Sequence, residues 1–111
     1  MDKLDHYRTC IQKIIQKYGK RSSTNRDAEI QIISDTKNDH YQVLKVGWKK
    51  DKRIHSCFIH IDIKNDKIWI QHNGTEARIA SELIEFGIPK QDIVLAFYPP
   101  YKRKYTDYAT S

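Results

Sequence analysis

The sequence predicts an α+β fold of order αββββαβ, a small sheet carrying a single layer of helices on one face. Three observations carry that prediction. Apolar residues recur at helical spacing near the start, where Leu4, Tyr7, Ile11, Ile14, Ile15 and Tyr18 line one side of a helix. Four runs rich in β-branched and aromatic residues follow, separated by polar turn clusters. A second amphipathic stretch then ends at Gly87-Ile88-Pro89 and gives way to the all-apolar Ile93-Val94-Leu95-Ala96-Phe97.

In the first helix Asp2 is placed to cap the N-terminus and Gly19 to stop it in a left-handed conformation. The polar run 20–27 reads as a loop. The strands are expected at 29–36, 40–48, 54–64 and 67–72, as an antiparallel four-stranded meander. Asn65-Asp66 suits a two-residue hairpin, because both residue types tolerate positive φ. That turn sets Ile63 opposite Ile68, Ile61 opposite Ile70, Asp62 opposite Trp69 and His60 opposite Gln71. A turn at Lys37-Asn38-Asp39 sets Ile30 and Ile32 against Val46 and Leu44. One face is then core, and the other collects Ile33, Tyr41, Val43, Phe58 and Trp69, a pattern that suits either cover by the C-terminal tail or a second chain, or scattered surface aromatics on a small sheet.

The second helix is expected to begin at Thr75 as N-cap, with Glu76 in its first turn and Ile79, Ala80, Leu83, Ile84 and Phe86 on its apolar side. The 93–97 run suits a short fifth strand buried on both faces, stopped by Pro99-Pro100. Residues 98–111 form an aromatic and basic tail. With 111 residues and no linker, the chain reads as one domain, 1–111.

Composition narrows the function. The opening Met1-Asp2-Lys3-Leu4-Asp5 lacks the basic-then-apolar order of an export signal, so a cytoplasmic location is expected. Two cysteines, Cys10 and Cys57, make no disulfide framework and are expected to be reduced. The net charge of +6 is concentrated at residues 1–26, 49–53 and 98–111, which leaves a slightly acidic centre. A basic periphery suits either contact with a polyanion or simple solvation.

No nucleophile elbow, phosphate-binding loop or dinucleotide glycine motif occurs. His60, Asp62 and His72 are the nearest approach to a metal set, but the expected register puts His72 on the opposite face. Asp62-Ile63-Lys64 offers the Asp-x-Lys of a metal-dependent nuclease, which requires a second carboxylate from Asp51 or Glu76. No catalytic residue, metal or cofactor is therefore assigned. For partner binding the candidates are Tyr41, Phe58, Trp69, Gln71, Tyr98, Tyr101 and Tyr105. For direct nucleic-acid contact they are Lys102, Arg103 and Lys104, flanked by tyrosines able to stack on bases.

Several segments occur together in a particular order: His40-Tyr41-Gln42, Val46-Gly47-Trp48, Ile59-His60-Ile61-Asp62-Ile63-Lys64, Lys67 through Glu76, Gly87 through Phe97, and Arg103-Lys104-Tyr105-Thr106. In these the chain resembles the XisI family, the fdxN element excision controlling factors of cyanobacteria. It departs from the family pattern at Asn73, where Asp is more usual, and in its less apolar ending. The resemblance implies a non-enzymatic factor controlling developmentally programmed DNA excision, with strand exchange left to a separate recombinase. It also implies an XisH-like protein partner. Self-association into a homo-oligomer and direct DNA contact are further expectations, and no family catalytic residue is available to carry over.

Overall fold

The computed structural model describes residues 2–22 and 28–111. Helix α1, Lys3–Ser22, is capped as expected, with the Asp2 carboxylate accepting from the Asp5 backbone N–H at 2.8 Å. It runs past Gly19 instead of stopping there. The glycine serves packing: a Cβ at this position would lie 2.6 Å from Ile32 Cδ1, so its absence lets the helix lie close on the sheet. Lys20 is therefore helical rather than part of a loop, and residues 23–27 of the expected loop lie outside the described residues.

Strands β1 (Ala28–Asp35), β2 (His40–Lys49), β3 (Lys52–Lys64) and β4 (Lys67–Asn73) form the antiparallel meander. Helix α2 (Ile79–Glu85) then crosses to a three-residue strand β5 (Ile93–Leu95), which pairs parallel to β4. The sheet order is β1-β2-β3-β4-β5, a mixed sheet. A one-turn helix α3, Pro100–Arg103, follows in the tail. Among the described residues no helix is long and apolar enough to cross a membrane.

Helices α1 and α2 form the single layer. Ile11, Ile14 and Ile15 of α1 and Ile79 and Leu83 of α2 share one buried cluster with Ile59, Ile61, Ile68, Ile70 and Ile93 of the sheet. Three carboxylates hold α1 in place. Tyr7 donates to Asp92, Tyr18 donates to Glu82 at 2.5 Å, and Arg8 grips Asp39 with contacts of 2.8 and 3.1 Å. Each acceptor belongs to a different connection or helix, so one helix ties together sites far apart in the chain.

The β3–β4 hairpin forms at Asn65-Asp66, with φ of 54° and 64°, and sets Ile63 opposite Ile68, Ile61 opposite Ile70 and Asp62 opposite Trp69. The β1–β2 register differs from expectation by one residue. Asp35 pairs with His40, so the loop holds four residues, closed by the Asp35 carboxylate accepting from the Lys37 and Asn38 N–H groups. Ile32 consequently faces Val43. A one-residue slip exchanges faces: Tyr41 and Val43 point into the core at 0% exposure, while Leu44 and Val46 point outward.

Two bulges make further corrections. Between Val43 and Leu44 the β3 partner skips Phe58, and both Phe58 and Ile59 are buried in the core. Between His60 and Ile61 the β4 partner skips Gln71, so His60 faces His72 rather than Gln71. Helix α2 also starts later than Thr75. Asn73 Oδ1 accepts from the Thr75 N–H and hydroxyl while its amide donates to the Ala77 carbonyl at 2.8 Å. This local network holds the chain in a loop through Arg78.

Candidate functional site

The tail is built around Arg103. Its guanidinium donates to the carbonyls of Tyr98 (2.9 Å), Ala96 (3.2 Å) and Thr110 (3.5 Å), and it lies over the Trp69 ring at 5.5 Å. A planar fork with several donors suits this task, and a lysine could not reproduce it. The Ala109 N–H closes the path by donating to the Ile93 carbonyl at 2.9 Å, beside a bridge from Ala109 to Val94. Trp69, Val94 and Ala109 thereby form a second small buried cluster on the sheet face opposite α1. Over β4 and β5, the tail itself provides the cover expected for this face.

Arg103 is thus a structural residue, and of the basic candidates only Lys102 and Lys104 remain exposed. Trp69 is 8% exposed, with its indole N–H donating to the Lys64 carbonyl at 2.9 Å, and so it is no contact surface. Tyr41 and Phe58 are removed from the accessible surface by the register and bulge already described. Gln71 does reach the outer face, where it donates to Asp62 Oδ2 at 3.2 Å.

The other three tyrosines come together. Strand β5 ends at Leu95, before the prolines expected to stop it, and Pro99 and Pro100 instead open α3, which places Tyr101 and Tyr105 four residues apart on one side of a tight turn. They are 68% and 79% exposed. With Tyr98, Lys102 and Thr106 they line an open cleft of about 480 Å³. Tyr98 also borders a second cleft of about 450 Å³ between β5 and the start of α2, lined by Arg78, Phe97 and Tyr108 among others. Phe97, expected in a buried strand, is 47% exposed and lies 4.9 Å from the Tyr98 ring. It is exposed because β5 stops at Leu95, beyond which the strand no longer sets the facing of side chains.

A polar cluster occupies the outer face nearby. Asp62 Oδ1 accepts from His40 Nδ1 at 2.9 Å and from His60 Nε2 at 3.0 Å. The Gln71 bulge brings His72 across from His60, which corrects the opposite-face placement expected for it. Even so, among the described residues no group of three or more His, Cys, Asp or Glu side chains is arranged to hold a metal ion. Asp51 sits in the β2–β3 turn, eleven residues along β3 from Asp62 and hence roughly 30 Å or more away. Glu76 is exposed in the loop before α2. Among the described residues neither joins Asp62 in a group of three or more side chains able to hold a metal.

The hydrogen bond to Asp62 raises the His40 pKa above its ordinary value. This contact therefore stabilises the fold fully below the unfolded histidine pKa and is lost as pH rises through the folded one. An NMR titration should show His40 titrating above the usual range, and Asp62→Asn should return it to an ordinary value. An unchanged His40 titration in that variant would remove the assignment.

A family model described as XisI protein matches residues 1–110. A solved XisI-like protein from Anabaena variabilis is 42% identical, covering 99% of this chain and 100% of its own, with a TM-score of 0.92. The solved fdxN element excision controlling factor XisI from Anabaena variabilis is 40% identical, covering 99% of this chain and 100% of its own, with a TM-score of 0.90. No curated protein matches.

Proposed function

The chain belongs to the XisI family, and from that membership we propose that it is a regulatory accessory protein of DNA-element excision that works by binding an XisH-like protein and not by catalysis. The description of its solved relative as an excision controlling factor supports the regulatory role. The single observation that carries the binding mode is the aromatic ledge of the tail. Tyr101 and Tyr105 stand 68% and 79% exposed around an open cleft, while Arg103 holds the backbone beneath them. Exposed tyrosines on an ordered support are the residue type and setting of interface hot spots, because they bury much area for little lost entropy.

The test is co-elution of the two purified proteins followed by titration calorimetry. Tyr101→Ala with Tyr105→Ala should weaken the complex about tenfold or more, at ~1–2 kcal/mol per lost anchor, with the unfolding midpoint of the chain unchanged. Two folded proteins that fail to co-elute would remove the reading. An intact complex with the doubly substituted chain would relocate the surface.

Direct DNA contact is the second reading, favoured by the exposed Lys102 and Lys104 beside Tyr101 and Tyr105. It requires affinity that falls steeply with salt and drops on neutralising those two lysines. Salt-insensitive or undetectable binding at low ionic strength would exclude it.

A further inference from the structure

The tail covers the outer sheet face only over β4 and β5. Among the described residues no element covers that face across β1, β2 and β3. Alternation places Leu44, Val46 and Trp48 outward on β2, next to Ile33 on β1 and Cys57 on β3. Trp48 is 57% exposed and Ile33 44%. An uncovered apolar face of this kind in a small sheet marks a contact surface.

Its occupant can be argued from charge. The β2–β3 turn end is basic, with Lys49, Lys50, Lys52 and Arg53 against one Asp51. Among the described residues Arg53 has no carboxylate partner; its guanidinium lies over Trp48 at 5.3 Å and donates to the Gly47 carbonyl at 3.4 Å. The opposite end of the same face carries Asp35 and Asp62, paired across His40. Leu44 and Cys57 sit midway between Arg53 and Asp62, in a row without charge. Glu29, opposite Val46, places one carboxylate toward the basic end and Gln31 lies beside Leu44, so the face is uncharged in its middle row and of net opposite charge at its ends. That is the pattern a two-fold axis through the middle satisfies, since one patch then complements itself.

We infer that the open outer face of β1–β3 is the contact surface of a homodimer, two copies packing face to face with the Arg53 end of each over the Asp62 end of the other. The two inner faces form a sandwich, with Leu44 near the axis and Trp48 covered by the second copy. The alternative two-fold, with its axis along the strands, stacks the basic ends on each other and is disfavoured by like-charge repulsion. This surface is separate from the tail ledge, so the dimer and the protein partner can be bound at the same time and tested independently.

Sedimentation velocity of the full chain alone tests the inference. At about 100 µM, well above the dissociation constant expected for a standard-sized interface, the chain should sediment at twice its monomer mass. Trp48→Asp and Arg53→Glu, both at exposed positions and checked for folding by circular dichroism, should each sediment as monomer. Adding Asp62→Lys to Arg53→Glu should restore the dimer by exchanging the two charges. A monomeric wild-type chain, a dimer that persists in both single variants, or a folded charge-exchanged chain that stays monomeric would each overturn the proposal.

Discussion

Trp69→Ala is expected to lower the unfolding free energy by about 3–5 kcal/mol, the range for emptying a buried aromatic site. The ring is the largest side chain of the cluster with Val94 and Ala109, and its N–H donates to the Lys64 carbonyl. Lys64 and Arg103 both stack on it, at 4.7 and 5.5 Å. Without the indole, the tail loses the apolar surface it was laid across, and Arg103 keeps only its carbonyl contacts. Urea denaturation should therefore report the lost stability, and limited proteolysis should cut first within 96–111. A variant with wild-type stability and a protected tail would show that the tail is held by its backbone hydrogen bonds alone. In binding studies the substitution acts through the tail scaffold, so Tyr101 and Tyr105 are the informative positions.

The second large effect is expected at Asp39→Ala, about 2 kcal/mol from stranding the buried Tyr41 hydroxyl. That hydroxyl donates to Asp39 Oδ1 at 3.0 Å, and Tyr41 is fully buried. Asp39 also takes both Arg8 contacts, so its loss frees the first half of α1 from the β1–β2 turn. The Arg8 guanidinium holds the Asp39 carboxyl below the usual carboxylate range. A depressed folded pKa means this stabilisation is present above the unfolded value of about 3.9 and disappears as pH falls through the lower folded value. In acid denaturation the stability gap between the wild type and the variant should accordingly narrow below about pH 4, down to the Tyr41 contribution that the protonated carboxyl, still an acceptor, retains. Curves that stay parallel to the lowest pH would disprove the linkage. Asp39→Asn separates the two roles, since its amide oxygen can still accept from Tyr41 while the charge is gone.

Much of the fold was legible because its signals are local. The period of α1, the Asp2 cap and the Asn65-Asp66 turn depend on residues within a few positions of one another, and each forms as expected. The departures in strand facing share a cause. Along a strand, a single inserted residue reverses the facing of every residue beyond it. The four-residue β1–β2 loop did this to Tyr41 and Val43, and the bulges did it to Phe58 and His72. No local composition marks a bulge, whose position is set by the strand on the other side. Gly19 and Thr75 carry the local chemistry of helix boundaries, but packing against Ile32 and the Asn73 network override it.

The candidate site divides in the same way. The aromatic and basic character of 98–111 is visible in the residues themselves, as is the inability of Pro99-Pro100 to continue a strand. Which of those residues face solvent is not. Arg103, Lys102 and Lys104 are equivalent as a charge run, yet only Arg103 meets three carbonyls and a tryptophan ring. By itself, then, the sequence determined the element order, the family and the presence of an aromatic tail, because periodicity, turn chemistry and motif order are properties of neighbouring residues. Only the tertiary structure decided that Trp69 is covered, that Arg103 is a brace and that Tyr101 and Tyr105 are presented. Those outcomes depend on contacts that bring β4 at Trp69, β5 at Val94 and the tail at Arg103 and Ala109 together, which the chain acquires only when it packs.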